Sequence, residues 1–203
     1  MDNSSGPITW AGRYHANAMN HLFGRSYAND DAFYEDFENR LDGSFSQASS
    51  CNEPNTLLEY ALANCLYEDS SGARVEMAQR ALELAQKANL PLGRFMYGLG
   101  QVLETEQKWG EAIASYSESL GLGFGHAALN LGLLYIDENE FSNAVRTWLR
   151  GRNEFGDSDC AAQLEEVETS PGVYEAEIEL EDGSIEIVVY TEEPGGFGGI
   201  ASS

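Results

Sequence analysis

The sequence predicts a mainly α chain, in which antiparallel helix pairs repeat and stack as a solenoid and a β-hairpin follows at the C-terminal end. Three observations carry the expectation. A block in the middle of the chain recurs 32 positions later. Apolar residues before and after that block keep helical spacing. From Val173 onward the apolar period drops to two.

The first 50 residues read as an N-terminal helical segment. Ala16, Met19 and Phe23 share one helix face, as do Phe33, Phe37 and Leu41. Residues 43–50 are rich in serine and read as a link. Residues 51–168 read as the repeat domain, opening with a degenerate unit. In that unit Leu62-Ala63 and Leu66 stand in the first helix, and 68–72 forms the loop. Met77, Ala78, Ala81, Leu82 and Ala85 place an amphipathic helix over 73–88, before Pro91.

Self-similarity is clearest over 92–152. Leu99-Gly100 recurs as Leu131-Gly132, Trp109 as Phe141, Ala112 as Ala144 and Tyr116 as Trp148. Helices are expected over 92–105, 109–120, 126–137 and 141–150, with polar breaks at 106–108 and 138–140. A mid-helix glycine costs about 1 kcal/mol relative to alanine. Gly100 and Gly132 therefore suggest that a neighbouring helix approaches closely, with Ala112 and Ala144 as small contacts and the aromatics filling space. One helix pair cannot bury its apolar face alone, so neighbours must stack.

This pattern of Leu-Gly, a small alanine and then an aromatic four residues on resembles the tetratricopeptide repeat. Gly125-His-Ala-Ala-Leu-Asn-Leu-Gly-Leu-Leu-Tyr135, followed by Ala144-Val-Arg-Thr-Trp148, is similar to its Sel1-like relative. The resemblance implies a groove lined by the first helix of each pair. It maps Arg94, Tyr97, Gln101 and Glu104 there, then His126, Leu129, Leu133 and Ile136. The 126–137 helix also carries Leu131, Leu134 and Tyr135 on another face, so it should be covered on two sides. The cover is either another part of the chain, a partner helix or peptide, or a second copy.

A terminal helix is expected over 157–167, capped by Asp157 or Ser158. Residues 169–193 read as an acidic β-hairpin turning at Asp182-Gly183, and 194–203 as a flexible Gly-rich tail. Glu175, Glu177, Glu179 and Glu186 are expected to form its acidic face.

The charge divides sharply. The 203 residues carry 34 acids and 11 bases, a net of −23. No Lys or Arg follows Arg152, and that stretch holds 14 acids. Such a balance argues against direct nucleic-acid binding and against anionic membranes, and favours a basic protein partner. No apolar run is long enough to span a membrane, and residues 1–7 lack the features of a secretory signal. Cys51, Cys65 and Cys160 are scattered and read as free thiols, which suggests a cytoplasmic protein.

Chemistry is sparse. His15, His21 and His126 fit no metal-ligand spacing, and no phosphate-binding or nucleophile motif occurs. No catalytic residue, metal site or cofactor is expected. The expected function is a non-enzymatic adaptor that uses the helical groove and an acidic face. The alternative is an acidic, immunity-type inhibitor that neutralises a basic toxin, nuclease or nucleic-acid-binding protein.

Overall fold

The computed structural model describes residues 10–66, 73–169, 174–179, 185–190 and 200–202. Of these, 10–15, 17, 168, 169 and the three C-terminal segments are described as backbone only. The expected 68–72 loop, the Asp182-Gly183 turn, the His15 side chain and residues 194–199 lie outside what is described. Two compact units are present, 1–124 and 125–203.

The first unit contains α1 (Trp10–Phe23), α2 (Asp30–Gln47), α3 (Pro54–Ala63) with a 3-10 turn at Asn64–Leu66, α4 (Ala73–Lys87), α5 (Gly93–Thr105) and α6 (Trp109–Gly121). Gly24 ends α1 with φ 64°, where a residue without Cβ adopts the left-handed conformation at low cost. The Asn29 side chain caps α2 by accepting from the Ala32 amide at 2.9 Å. Asp30 and Asp31 complement the helix dipole there. Helix α3 starts at Pro54 and buries Leu57, Leu58, Tyr60, Ala61, Leu62 and Ala63, so it is covered on nearly all sides. Its neighbours are α2, α4 and α5. Helix α4 offers Ala78, Ala81 and Ala85, all fully buried, as a narrow contact face.

The serine-rich 43–50 segment departs from expectation, because α2 continues through Gln47. Ser44 and Ser46 donate back to the Leu41 and Asp42 carbonyls at 2.6 and 3.0 Å, so their hydroxyls are satisfied inside the helix. The end of α2 is held by Arg80 of α4. Its guanidinium donates to the carbonyls of Ala48, Ser49 and Cys51 at 3.0, 3.1 and 2.7 Å, and to Asn52 Oδ1 at 3.2 Å.

Helices α5 and α6 meet where Gly100 lies under the Tyr116 ring. A Cβ at Gly100 would stand 2.6 Å from Tyr116 Cε1. The aromatic thus packs on the glycine of its own pair. Trp109, expected to fill space, is instead 41% exposed.

The second unit contains α7 (Ala127–Asp137), α8 (Phe141–Phe155), α9 (Ser158–Thr169) and strands β1 (Tyr174–Glu179), β2 (Ile185–Tyr190) and β3 (Ile200–Ser202). Gly132 of α7 sits against the Trp148 indole of α8, 32 residues after the Gly100–Tyr116 contact. The connecting turns recur too. Gln107 and Asn139 adopt φ 58° and 60°. Lys108 N donates to Leu103 O at 2.9 Å, and Glu140 N to Tyr135 O at 2.7 Å. Helix α8 runs five residues past its expected end at 150 and stops at Gly156, φ 65°. The Asp157 carboxylate then starts α9 by accepting from the Asp159 and Cys160 amides at 3.0 and 2.9 Å.

The expected solenoid closed by a C-terminal β-hairpin is corrected. Every residue with a described side chain before β1 lies in a helix or a connecting turn, and the described α-helices number nine, divided between two units. Beyond them the backbone forms a three-stranded antiparallel sheet, β1-β2-β3, instead of a lone two-stranded hairpin. The third strand comes from residues read as tail. A two-stranded ribbon leaves the outer edge of β2 unpaired, and β3 occupies that edge through Val188↔Ser202, Val189↔Ala201 and Tyr190↔Ile200.

Candidate partner-binding surface

The eight expected groove residues fall four in each unit. In the first unit they are covered from within. Tyr97 is 2% exposed, and its ring lies 5.7 Å from that of Tyr116, 5.2 Å from Phe124 and 6.4 Å from His21. Gln101 is buried, and its Nε2 donates to Tyr97 Oη at 3.4 Å. Glu104 accepts from Tyr116 Oη at 2.7 Å. Arg94 donates to the Leu22 carbonyl at the end of α1 and lies 5.0 Å from the Phe23 ring centroid. Burial lowers the Arg94 pKa, and the nearby Glu59 carboxylate opposes that shift. Arg94 and Tyr97 thus meet α1, while Gln101 and Glu104 are held by side chains of α5 and α6, so these four residues are engaged within the first unit. Tyr and Arg have long apolar bodies that bury readily while their polar ends find partners.

In the second unit the inner face of α7 buries Ala127, Ala128, Asn130, Leu131, Gly132 and Leu134. Trp148 Nε1 donates to the Leu129 carbonyl at 3.2 Å, which fixes the indole over Gly132. The outer face differs. Leu133 is 39% exposed, and Leu129 and Ile136, four residues before and three after, are half-buried. Asp137 at the end of the helix, and Glu138 and Glu140 in the turn that follows, are all exposed.

His126 stands at the start of α7 with Nδ1 3.1 Å from Asp157 Oδ2. The sequence reading missed this pair, because the two residues lie 31 apart and neither belongs to a spacing motif. A histidine held by a carboxylate resembles part of a catalytic relay, which also requires an accessible nucleophile. Cys160 is the adjacent thiol, but it is fully buried. Burial, reinforced by Asp157, raises its pKa and keeps it protonated. The pair serves to tie the starts of α7 and α9. No group of three metal-ligand side chains converges among the described residues.

A second polar network lies in the first unit. Arg25 bridges Asp36 and Glu59 at 3.1 and 2.8 Å, and Arg40 reaches Asp36 at 3.3 Å. Tyr27 donates to Asp36 at 2.7 Å. Charges of both signs pair here, so the cluster reads as a clamp between α2, α3 and the preceding turn.

The acidic face also needs correction. Cross-strand pairing sets Glu175, Glu177 and Glu179 opposite Val189, Ile187 and Ile185, whereas Glu186 faces Ile178. Directly paired residues share a sheet face, so Glu186 lies on the other face from the three acids of β1. The shift follows from the pairing register, which the composition of either strand alone does not fix.

No protein-family model matches this chain, and no curated protein matches it in sequence. No helix among the described residues is long and apolar enough to cross a membrane.

Proposed function

We propose that this protein is a non-enzymatic interaction module, a cytoplasmic adaptor that engages a protein partner through the outer face of α7. The supporting observation is the exposed Leu133 flanked at helical spacing by Leu129 and Ile136. An apolar patch rimmed by polar groups commonly marks a binding site. The acidic stretch after Arg152 favours a basic partner and steers its approach. Capture from native lysate, compared between the wild type and Leu133→Ser, tests the reading. A protein retained by the wild type and lost from the variant, with retention falling as salt rises, is the expected result. Identical capture by both forms refutes the assignment of the surface.

The 14 acids uninterrupted by any cation favour a second reading, neutralisation of a basic nuclease or toxin by occupation of its phosphate-binding surface. In that case a short DNA duplex competes with this chain for the captured protein. An adaptor complex is indifferent to the duplex.

A further inference from the structure

Helix α2 carries a second apolar stripe, separate from the face it buries. Phe33, Arg40 and Ser44 point into the first unit. Tyr34, Phe37, Leu41 and Phe45 follow at intervals of three or four residues and so line one neighbouring face. The first three are half-buried, and Phe45 is 63% exposed, the most exposed large apolar side chain among the described residues. Along one edge of this stripe run Asp31, Glu35, Glu38 and Asp42, all exposed and again three or four residues apart. The one cation of the helix, Arg40, is 5% exposed and directed at Asp36. The surface is therefore an aromatic ridge with a continuous anionic border.

We infer that this face of α2 is a docking surface for a cationic amphipathic helix of another protein, distinct from the α7 surface proposed above. The geometry matches one strand of a coiled-coil seam. Apolar residues at 34, 37 and 41 take the core positions; Asp31, Glu38 and Phe45, seven apart, form the flanking row, with two carboxylates where a partner's Lys or Arg would lie and one ring that closes over the end of the partner's ridge. Charge selects the occupant. A second copy of this chain brings a further −23 and is repelled. The densest run of cations in the chain, Arg146, Arg150 and Arg152, is built into α8, where Arg150 pairs with Glu154 at 3.0 Å. A foreign helix with a leucine ridge and lysine flanks satisfies both the stripe and its border.

Three synthetic helical peptides with one shared leucine ridge, differing only in Lys, Gln or Glu at the remaining positions, provide the test against the full chain. Fluorescence anisotropy is expected to show tight binding of the Lys peptide alone. Its affinity should fall about tenfold with Phe45→Ser and with Glu38→Lys, as for loss of a buried anchor or a paired charge, and be unchanged with Leu133→Ser. Binding that survives Phe45→Ser overturns the α2 site. If the loss occurs instead with Leu133→Ser, the α7 surface is the one in use. Equal binding of the Gln or Glu peptide overturns the cationic partner class. Self-association of the chain that Phe45→Ser abolishes makes a second copy the occupant and overturns the proposal, as does the absence of binding by any peptide.

Discussion

Gly132→Ala isolates the contact on which the second unit is built. A Cβ at this position would lie 2.5 Å from Trp148 Cε2, inside the 3.0 Å that real Cβ atoms respect. The indole cannot simply withdraw, because Trp148 is 2% exposed and its Nε1 is bonded to the Leu129 carbonyl at 3.2 Å. Overpacking a core of this kind costs about 1–3 kcal/mol. Weakening the indole hydrogen bond costs about 1 kcal/mol more. Helix propensity returns about 1 kcal/mol when glycine becomes alanine. The expected net is a destabilisation of about 2 kcal/mol. Gly110→Ala is the matched control. A Cβ there meets nothing within 4 Å, so the same chemical change should stabilise by about 0.5–1 kcal/mol. Urea unfolding followed by tryptophan fluorescence reads both midpoints. If the two variants shift in the same stabilising direction, the close approach of α7 and α8 at Gly132 is wrong.

Three further outcomes follow from the geometry. Gln107→Gly should raise stability by about 0.5 kcal/mol, since a long side chain at φ 58° carries a left-handed penalty that exceeds the chain entropy of glycine. Asn139→Gly should gain less, because asparagine tolerates that conformation; urea midpoints rank the two. Arg80→Ala should cost about 1.5–3 kcal/mol by removing the charge-assisted bonds to the carbonyls of 48, 49 and 51, and Arg80→Lys should not restore it, as an ammonium lacks the planar fork. Burial, aided by donation to Asp36, pushes the Tyr27 phenol up to about 12. The folded state thus favours the protonated form. The contribution of Tyr27 is complete below its ordinary value of 10.0 and disappears as pH rises through about 12. Tyr27→Phe should flatten that alkaline loss in a pH series of unfolding curves; an unchanged slope would count against the half-buried phenol–carboxylate bond.

Local periodicity made the helices legible. Ala78, Ala81 and Ala85 at helical spacing are all fully buried, and the two Leu-Gly steps mark both close approaches. Tertiary partners left no such trace. Tyr97 is enclosed by Tyr116, Phe124 and His21, all distant in sequence, and the Arg94–Leu22 bond spans 72 residues. Serines 44 and 46 suggested a link because their hydroxyls compete with the backbone, yet here they bond within the helix. Glu186 went to the wrong face because strand register depends on pairing. On α7, the apolar spacing of Leu129, Leu133 and Ile136 was visible in advance. The exposure that separates Leu133 from Tyr97 arises only from packing.

Arg80 also bears on the order in which the first unit opens. The carbonyls of Ala48, Ser49 and Cys51 draw their described side-chain donors from a helix about thirty residues later in the chain. The α2–α3 junction therefore gains its guanidinium bonds only once α4 has docked. Departure of α4 in turn releases the junction. Amides on the two segments should exchange with solvent as one cooperative unit. A clamp that joins distant segments in this way sets the smallest piece of the first unit able to unfold on its own.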